Sequence, residues 1–153
     1  MIVATQWAGG ATENALHLAG LDHFNGKPVL DVTNPLDFSS GAPRLSIGHT
    51  DSAGESVQRW LPKAHVVKVF NSVSASVMVN PSATGDTPDM MIAGNEAAAK
   101  QQVTQILHDF GWTSIIDLGG IEASRYLEAL CMIWVIYWQQ HNTSTHAFKL
   151  VGR

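Results

Sequence analysis

The chain has 153 residues, nine basic and thirteen acidic side chains, a net charge of −4, and 45% hydrophobic against 14% charged residues. That length suits one domain with a real core, and an acidic balance without a basic cluster argues against nucleic acid as a partner. A single cysteine, Cys131, leaves disulfides and cysteine metal sites out, and neither a signal peptide nor a membrane-length apolar run is present, so a cytoplasmic protein with no membrane segment is expected.

Met1 to Thr5 reads as an opening strand, followed by the small-residue turn Gln6 to Ala11. Thr12 is the expected N-cap of a helix whose stripe is Ala15, Leu16 and Ala19, ending at Gly20. Val29, Leu30, Val32 and Thr33 then form a short strand buried on both faces, stopped at Asn34-Pro35. Strand, helix, strand in this order means parallel strands joined by a right-handed crossover.

Asp37 to Asp51 reads as a long polar loop, mobile without a ligand. Ser52 caps a helix with Glu55 three residues on, and Val57, Trp60 and Leu61 are its apolar face. Val66 to Phe70 is a third strand closed by Asn71-Ser72, and a short helix is expected within Val73 to Val79. Met90 to Gly94 is a fourth strand. Asn95 is the expected cap of a helix over Glu96 to Phe110, and Thr113 to Leu118 is a fifth strand ending at Gly119-Gly120. A long helix over Ile121 to Trp138 and a short one near Thr143 to Leu150 close the chain, so 121–153 reads as a C-terminal helical segment of one domain.

Three strands end in small polar turns: Thr5-Gln6-Trp7, Asn34-Pro35 and Asn71-Ser72. Parallel and adjacent, they would set amides and hydroxyls along one rim at the carboxyl edge of a sheet, where open α/β folds bind dinucleotides. Turn capping is the other reading of the same residues. Gly9-Gly10 lacks the G-x-G-x-x-G spacing and reads as a turn, and His141 and His146 have no carboxylate or thiolate at ligand spacing. Ile133 to Trp138 is apolar nearly all round its helix, which suits a core or a subunit interface.

Gly26-Lys27 with Asp31-Val32-Thr33-Asn34-Pro35-Leu36, Val67-Lys68-Val69-Phe70-Asn71-Ser72, and Gly119-Gly120-Ile121-Glu122-Ala123-Ser124-Arg125-Tyr126-Leu127-Glu128 together resemble the deazaflavin (coenzyme F-420) dependent NADP oxidoreductase family. The same domain occurs in the cytoplasmic part of membrane ferric reductases. The resemblance implies a Rossmann-like, mostly parallel sheet with flanking helices that binds NADP(H) and passes hydride to a deazaflavin or flavin acceptor. It implies cofactor contacts from Thr5, Gln6, Trp7, Asn34, Pro35, Asn71 and Ser72, although the family's Pro-Trp turn is Gln6-Trp7 here. The Gly119-Gly120 loop matches the segment near the hydride acceptor.

Met1 falls where the family's fourth strand would lie, so a partial domain lacking the glycine-rich half, with truncated or impaired activity, is expected. No side chain is expected to act as acid or base. A homo-oligomer is expected, through the aromatic helix or the edge of the first strand. The competing expectation is a non-enzymatic α/β module that self-associates.

Overall fold

Short β-branched segments form the sheet in the computed structural model, which describes residues 1–152. In chain order the elements begin β1 (Ile2–Val3), α1 (Ala11–Ala19), β2 (Pro28–Asp31), β3 (Leu36–Asp37), β4 (Arg44–Leu45) and α2 (Ala53–Trp60). They continue β5 (His65–Lys68), α3 (Ala75–Val79), β6 (Asp89–Gly94), α4 (Ala97–Asp109), β7 (Ser114–Asp117) and α5 (Ser124–His141). Five strands pair in the order β1-β2-β5-β6-β7.

β1, β2 and β5 run parallel, with Ile2 opposite Leu30 and Leu30 opposite Val67. β6 runs antiparallel to β5 and parallel to β7. The sheet is therefore mostly parallel and Rossmann-like, with one reversal. The reversal sorts the strand ends: β1, β2 and β5 finish at one edge, β6 and β7 at the other.

Alternation along the central strands fills two cores. Val29 and Val66 pack with Val3, Leu16, Phe24, Val57 and Leu61 on one face. Leu30 and Val67 pack with Ile92, Val103, Leu107 and Trp112 on the other. A strand covered on both faces needs apolar residues throughout, hence the runs in β2 and β5. Each such side chain contributes about 1.5–3 kcal/mol when removed from water.

Several local expectations change on folding. β1 is only two residues, its last ladder bond running from Val32 N–H to Val3 O at 3.0 Å, and just beyond it Thr33 N–H turns to the Asp31 carboxylate at 3.0 Å. Gly10, at φ 71°, takes the N-cap position of α1. Thr12 is buried instead, donating to Gln6 O and accepting from Thr5 Oγ1, both at 3.0 Å. Glu96 caps α4, while Asn95 Oδ1 accepts from Ile121 N–H at 2.9 Å.

The segment after Asp37 is not a plain loop. β3 and β4 pair as a small hairpin, with Asp37 bridged to Arg44 at 2.7 Å and Ser46 tied back to Pro35 O. No helix forms near Thr143 to Leu150, because that stretch is drawn out as a strap. Phe148 O accepts from Asp89 N–H at 2.9 Å, Leu150 N–H donates to Asp89 Oδ2 at 2.6 Å, and His146 stacks on Trp134.

Ser52 does cap α2, its hydroxyl accepting Glu55 N–H at 3.1 Å and donating to the Glu55 carboxylate at 2.7 Å. Behind that cap α2 meets α5 closely. A Cβ on Gly54 would lie 2.8 Å from Ser124 Cβ and 3.1 Å from Lys68 Cε. Gly54→Ala should therefore destabilise the fold by about 2–3 kcal/mol, the cost of overpacking a tight contact. Urea denaturation measures it, and a loss under about 0.5 kcal/mol would mean that α2 and α5 can part freely.

Candidate functional site

The carboxyl ends of β1, β2 and β5 open into a cleft of about 640 Å³. Its walls are mostly apolar, including Val32, Phe38, Phe70, Met78 and Phe110, with polar groups from Thr5, Gln6, Thr33 and Asn34. Few polar groups in an apolar cleft is the usual make-up of a small-molecule or cofactor site. A second cavity of about 680 Å³ shares Trp7, Ala8, Leu36 and Phe38 with the first. One side of it is the stacked pair Trp7 and Trp60, ring centres 5.6 Å apart. Asp37 also lines it, held well down, to about 2, by hydrogen bonds from Ser39 and by Arg44.

Phe70 is the strained residue of the site. Its φ of 63° is in the left-handed region, which a bulky side chain avoids. Such a conformation costs on the order of 1–3 kcal/mol and persists only where the surroundings hold it. Here Phe70 N–H donates to Met90 Sδ at 3.4 Å, and its ring lies 6.2 Å from that of Phe110.

Beneath the rim sits a wholly buried charge cluster. Lys68 Nζ lies 2.7 Å from Asp31 Oδ2, 2.8 Å from Glu128 Oε1 and 2.7 Å from Thr33 O. Burial works to lower the lysine pKa, but the two carboxylates outweigh it and hold the ammonium above its ordinary value. Glu128 goes up, pushed by burial against the opposing pull of Lys68 and two backbone N–H groups. Those groups are Ala53 and Gly54 at the start of α2, each 3.0 Å from a Glu128 oxygen. Two carboxylates against one ammonium leave a negative excess, which the α2 amino terminus offsets. Asp31 Oδ1 accepts both the N–H and the hydroxyl of Thr33. Neighbouring Cys131 is buried and its thiol pushed up to about 12, so it is inert.

Thr5, Gln6, Trp7 and Asn34 line the first cleft, and Trp7 also lines the second. Pro35 is buried behind the rim, its carbonyl holding Ser46 N–H at 2.8 Å. Asn71 is buried as well, giving its two amide protons to Asn34 Oδ1 at 3.0 Å and Leu127 O at 2.8 Å. Asn34 Nδ2 returns a bond to Asn71 O at 2.7 Å, and Ser72 follows outside the cleft-lining set. The Gly119-Gly120 loop is not on this rim. Because β6 reverses, that loop sits at the opposite edge, where Gly94 N–H bonds Gly119 O at 2.9 Å.

Sequence reasoning missed Phe70, Phe38 and Phe110 in the walls, and Asp31, Lys68 and Glu128 beneath them. The last three carried a usable signal, each a lone charge inside an apolar segment. Among the described residues no group of three or more His, Cys, Asp or Glu is placed to hold a metal ion, and no helix is long and apolar enough to cross a membrane.

No protein-family model matches the chain. The F420-dependent NADP reductase of Methanocaldococcus jannaschii is 30% identical over 111 residues, 71% of this chain and 49% of that protein. The metalloreductase STEAP3 of Rattus norvegicus is 27% identical over 118 residues, 77% of this chain and 22% of that protein. The chain thus spans half or less of the length of these curated relatives. A crystal structure of a candidate F420-dependent NADP reductase from Arthrobacter sp. FB24 superposes with a TM-score of 0.93 at 39% identity, covering 99% of this chain and 69% of that one.

Removing the ammonium should be far worse than removing the whole cluster. Lys68→Met leaves two buried carboxylates facing each other and should cost about 3–5 kcal/mol in urea denaturation. Adding Asp31→Asn and Glu128→Gln should recover a large part of that loss. A triple variant no more stable than Lys68→Met would contradict the pairing.

Proposed function

Because the chain belongs to the F420-dependent NADP reductase family, we propose that its 640 Å³ cleft receives the nicotinamide end of NADP(H) and that the protein serves hydride transfer to a planar deazaflavin or flavin acceptor. The observation that supports this most is the cleft's position and chemistry together. It lies at the carboxyl edge of three adjacent parallel strands, with apolar walls and a few amides and hydroxyls at its rim.

The residues present fit a nicotinamide ring. Phe70, Met78 and Phe110 offer flat and flexible apolar contact to the ring faces, and the exposed Gln6 and Thr5 are at hand for its carboxamide. Bound NADPH supplies the hydride, so the chain's task is to bind, orient and exclude water. The adjoining cavity beside Trp7 and Trp60 suits a second planar ring next to the first. In the family context that ring is the acceptor.

Self-association is the second part of the reading, and a separate observation favours it. α5 buries one stripe, Leu127, Glu128, Cys131 and Val135, and leaves another exposed: Tyr126 at 74%, Ile133 at 58% and Tyr137 at 45%. Large apolar side chains in a row of this kind mark an interaction surface. A second copy of this chain, presenting the same stripe, is its occupant.

Titration calorimetry tests the cofactor claim. NADPH should bind with Kd on the order of 1–100 µM and more tightly than NADH. Ala4→Trp, which fills the cleft from an exposed rim position away from the buried cluster, should abolish that binding. Failure of the unsubstituted chain to bind at about 1 mM NADPH, an affinity worth about 4 kcal/mol, would overturn it. For self-association, light scattering should give at least twice the 16.5 kDa chain mass. Ile133→Asp with Tyr137→Asp should return a monomer.

A further inference from the structure

The buried cluster and the cleft are joined by a closed circuit of contacts. Lys68 Nζ holds Thr33 O, and the next residue is Asn34 on the cleft wall. Asn34 exchanges two side-chain bonds with Asn71, Nδ2 to O at 2.7 Å and Oδ1 from Nδ2 at 3.0 Å. Asn71 also grips Leu127 O at 2.8 Å, the next residue is Glu128, and Glu128 returns to Lys68 at 2.8 Å. β2, β5 and α5 are thereby tied at one point, with Lys68 and Asn71 buried and Asn34 half-buried at the cleft wall.

We propose that Lys68 and Asn71 are positioning residues for the ligand cleft: together they clamp both ends of the four-residue segment 68–71 and so fix Phe70 and Asn34 in the wall. This rests on the proposed binding of a nicotinamide ring there. Phe70 lies inside the clamped segment in a conformation it would leave if either end were freed. At one end, Lys68 has three oxygens within 2.8 Å and no other role in reach. At the other end, both Asn71 amide protons are spent on the clamp, so the side chain acts on the ligand through Asn34 and Phe70. A cluster that served folding alone could end at Lys68, Asp31 and Glu128. The Asn34–Asn71 exchange carries it onward to residues that line the cleft.

Asn71→Ala tests the clamp, with Phe24→Leu as the control. Phe24 is buried in the other core, before the amino end of β2 and outside both the circuit and the cleft lining, so its truncation should lower thermal stability without displacing the cleft wall. Asn71→Ala should weaken NADPH binding by at least about ten-fold, as expected when wall groups lose their placement. It should also speed amide exchange in 33–36 and 69–72 selectively, the signature of local opening. Phe24→Leu should do neither. Asn34→Ala opens the same circuit from the cleft side and should speed exchange in 69–72 across the gap, which keeps the claim testable if Asn71→Ala does not fold. Equal effects of the circuit and control variants on affinity and exchange would overturn the positioning role. No binding by the unsubstituted chain would refute the cofactor reading instead, and the exchange comparison would still decide the clamp.

Discussion

A buried ammonium has to be answered by negative charge, and in this chain that requirement holds three parts of the fold in one place. Lys68 comes from the central strand β5, Asp31 from β2 and Glu128 from α5, all within 2.8 Å of one nitrogen. Glu128 in turn accepts the first two N–H groups of α2, so a fourth element is drawn in. Losing the ammonium would strand two carboxylates away from water, which is the costly failure the arrangement guards against. The tight spot at Gly54 follows from the same demand, since α2 must come close enough for its backbone to reach Glu128.

The edge of the sheet inherits its geometry from that cluster. Asp31 bends the chain after β2 by taking Thr33 N–H, and Lys68 fixes the carbonyl of the same residue. Asn34 and Phe70 are therefore delivered to the cleft by a rigid base, not by flexible loops. That is the support a ring-binding site needs if hydride transfer is its purpose, since the protein contributes orientation and the cofactor the chemistry. The strained backbone at Phe70 belongs to this picture as a residue held by its neighbours on both sides.

Much of the architecture was legible because it rests on local pattern. Val29 to Thr33 followed by Asn34-Pro35 marks a buried strand and its stop, and Ser52 with Glu55 marks a helix start. The resemblance carried by the Asn34-Pro35 and Asn71-Ser72 blocks pointed to the family. What was not legible depends on distant contacts. The reversal of β6 cannot be read from Met90 to Gly94, yet it sends Gly119-Gly120 to the far edge. Thr143 to Leu150 looks like a short helix until Asp89, far away in sequence, captures its backbone. Lys68, Asp31 and Glu128 are each charges in apolar surroundings, a signal that went unused, and nothing local says that they meet. Phe70's positive φ is likewise set by the distant groups that Lys68 and Asn71 reach across the fold, not by a local pattern.

On the proposed function, a nicotinamide ring lies against the wall formed by Phe70 and Asn34. A crystal structure of the chain grown with NADPH tests it most directly. The ring is expected in the cleft among Thr5, Gln6, Asn34 and Phe70, with Phe70 still at positive φ and the Asn34–Asn71 bonds intact. A ring bound elsewhere with that cleft empty, or one that enters only after the Asn34–Asn71 pair has come apart, would contradict it.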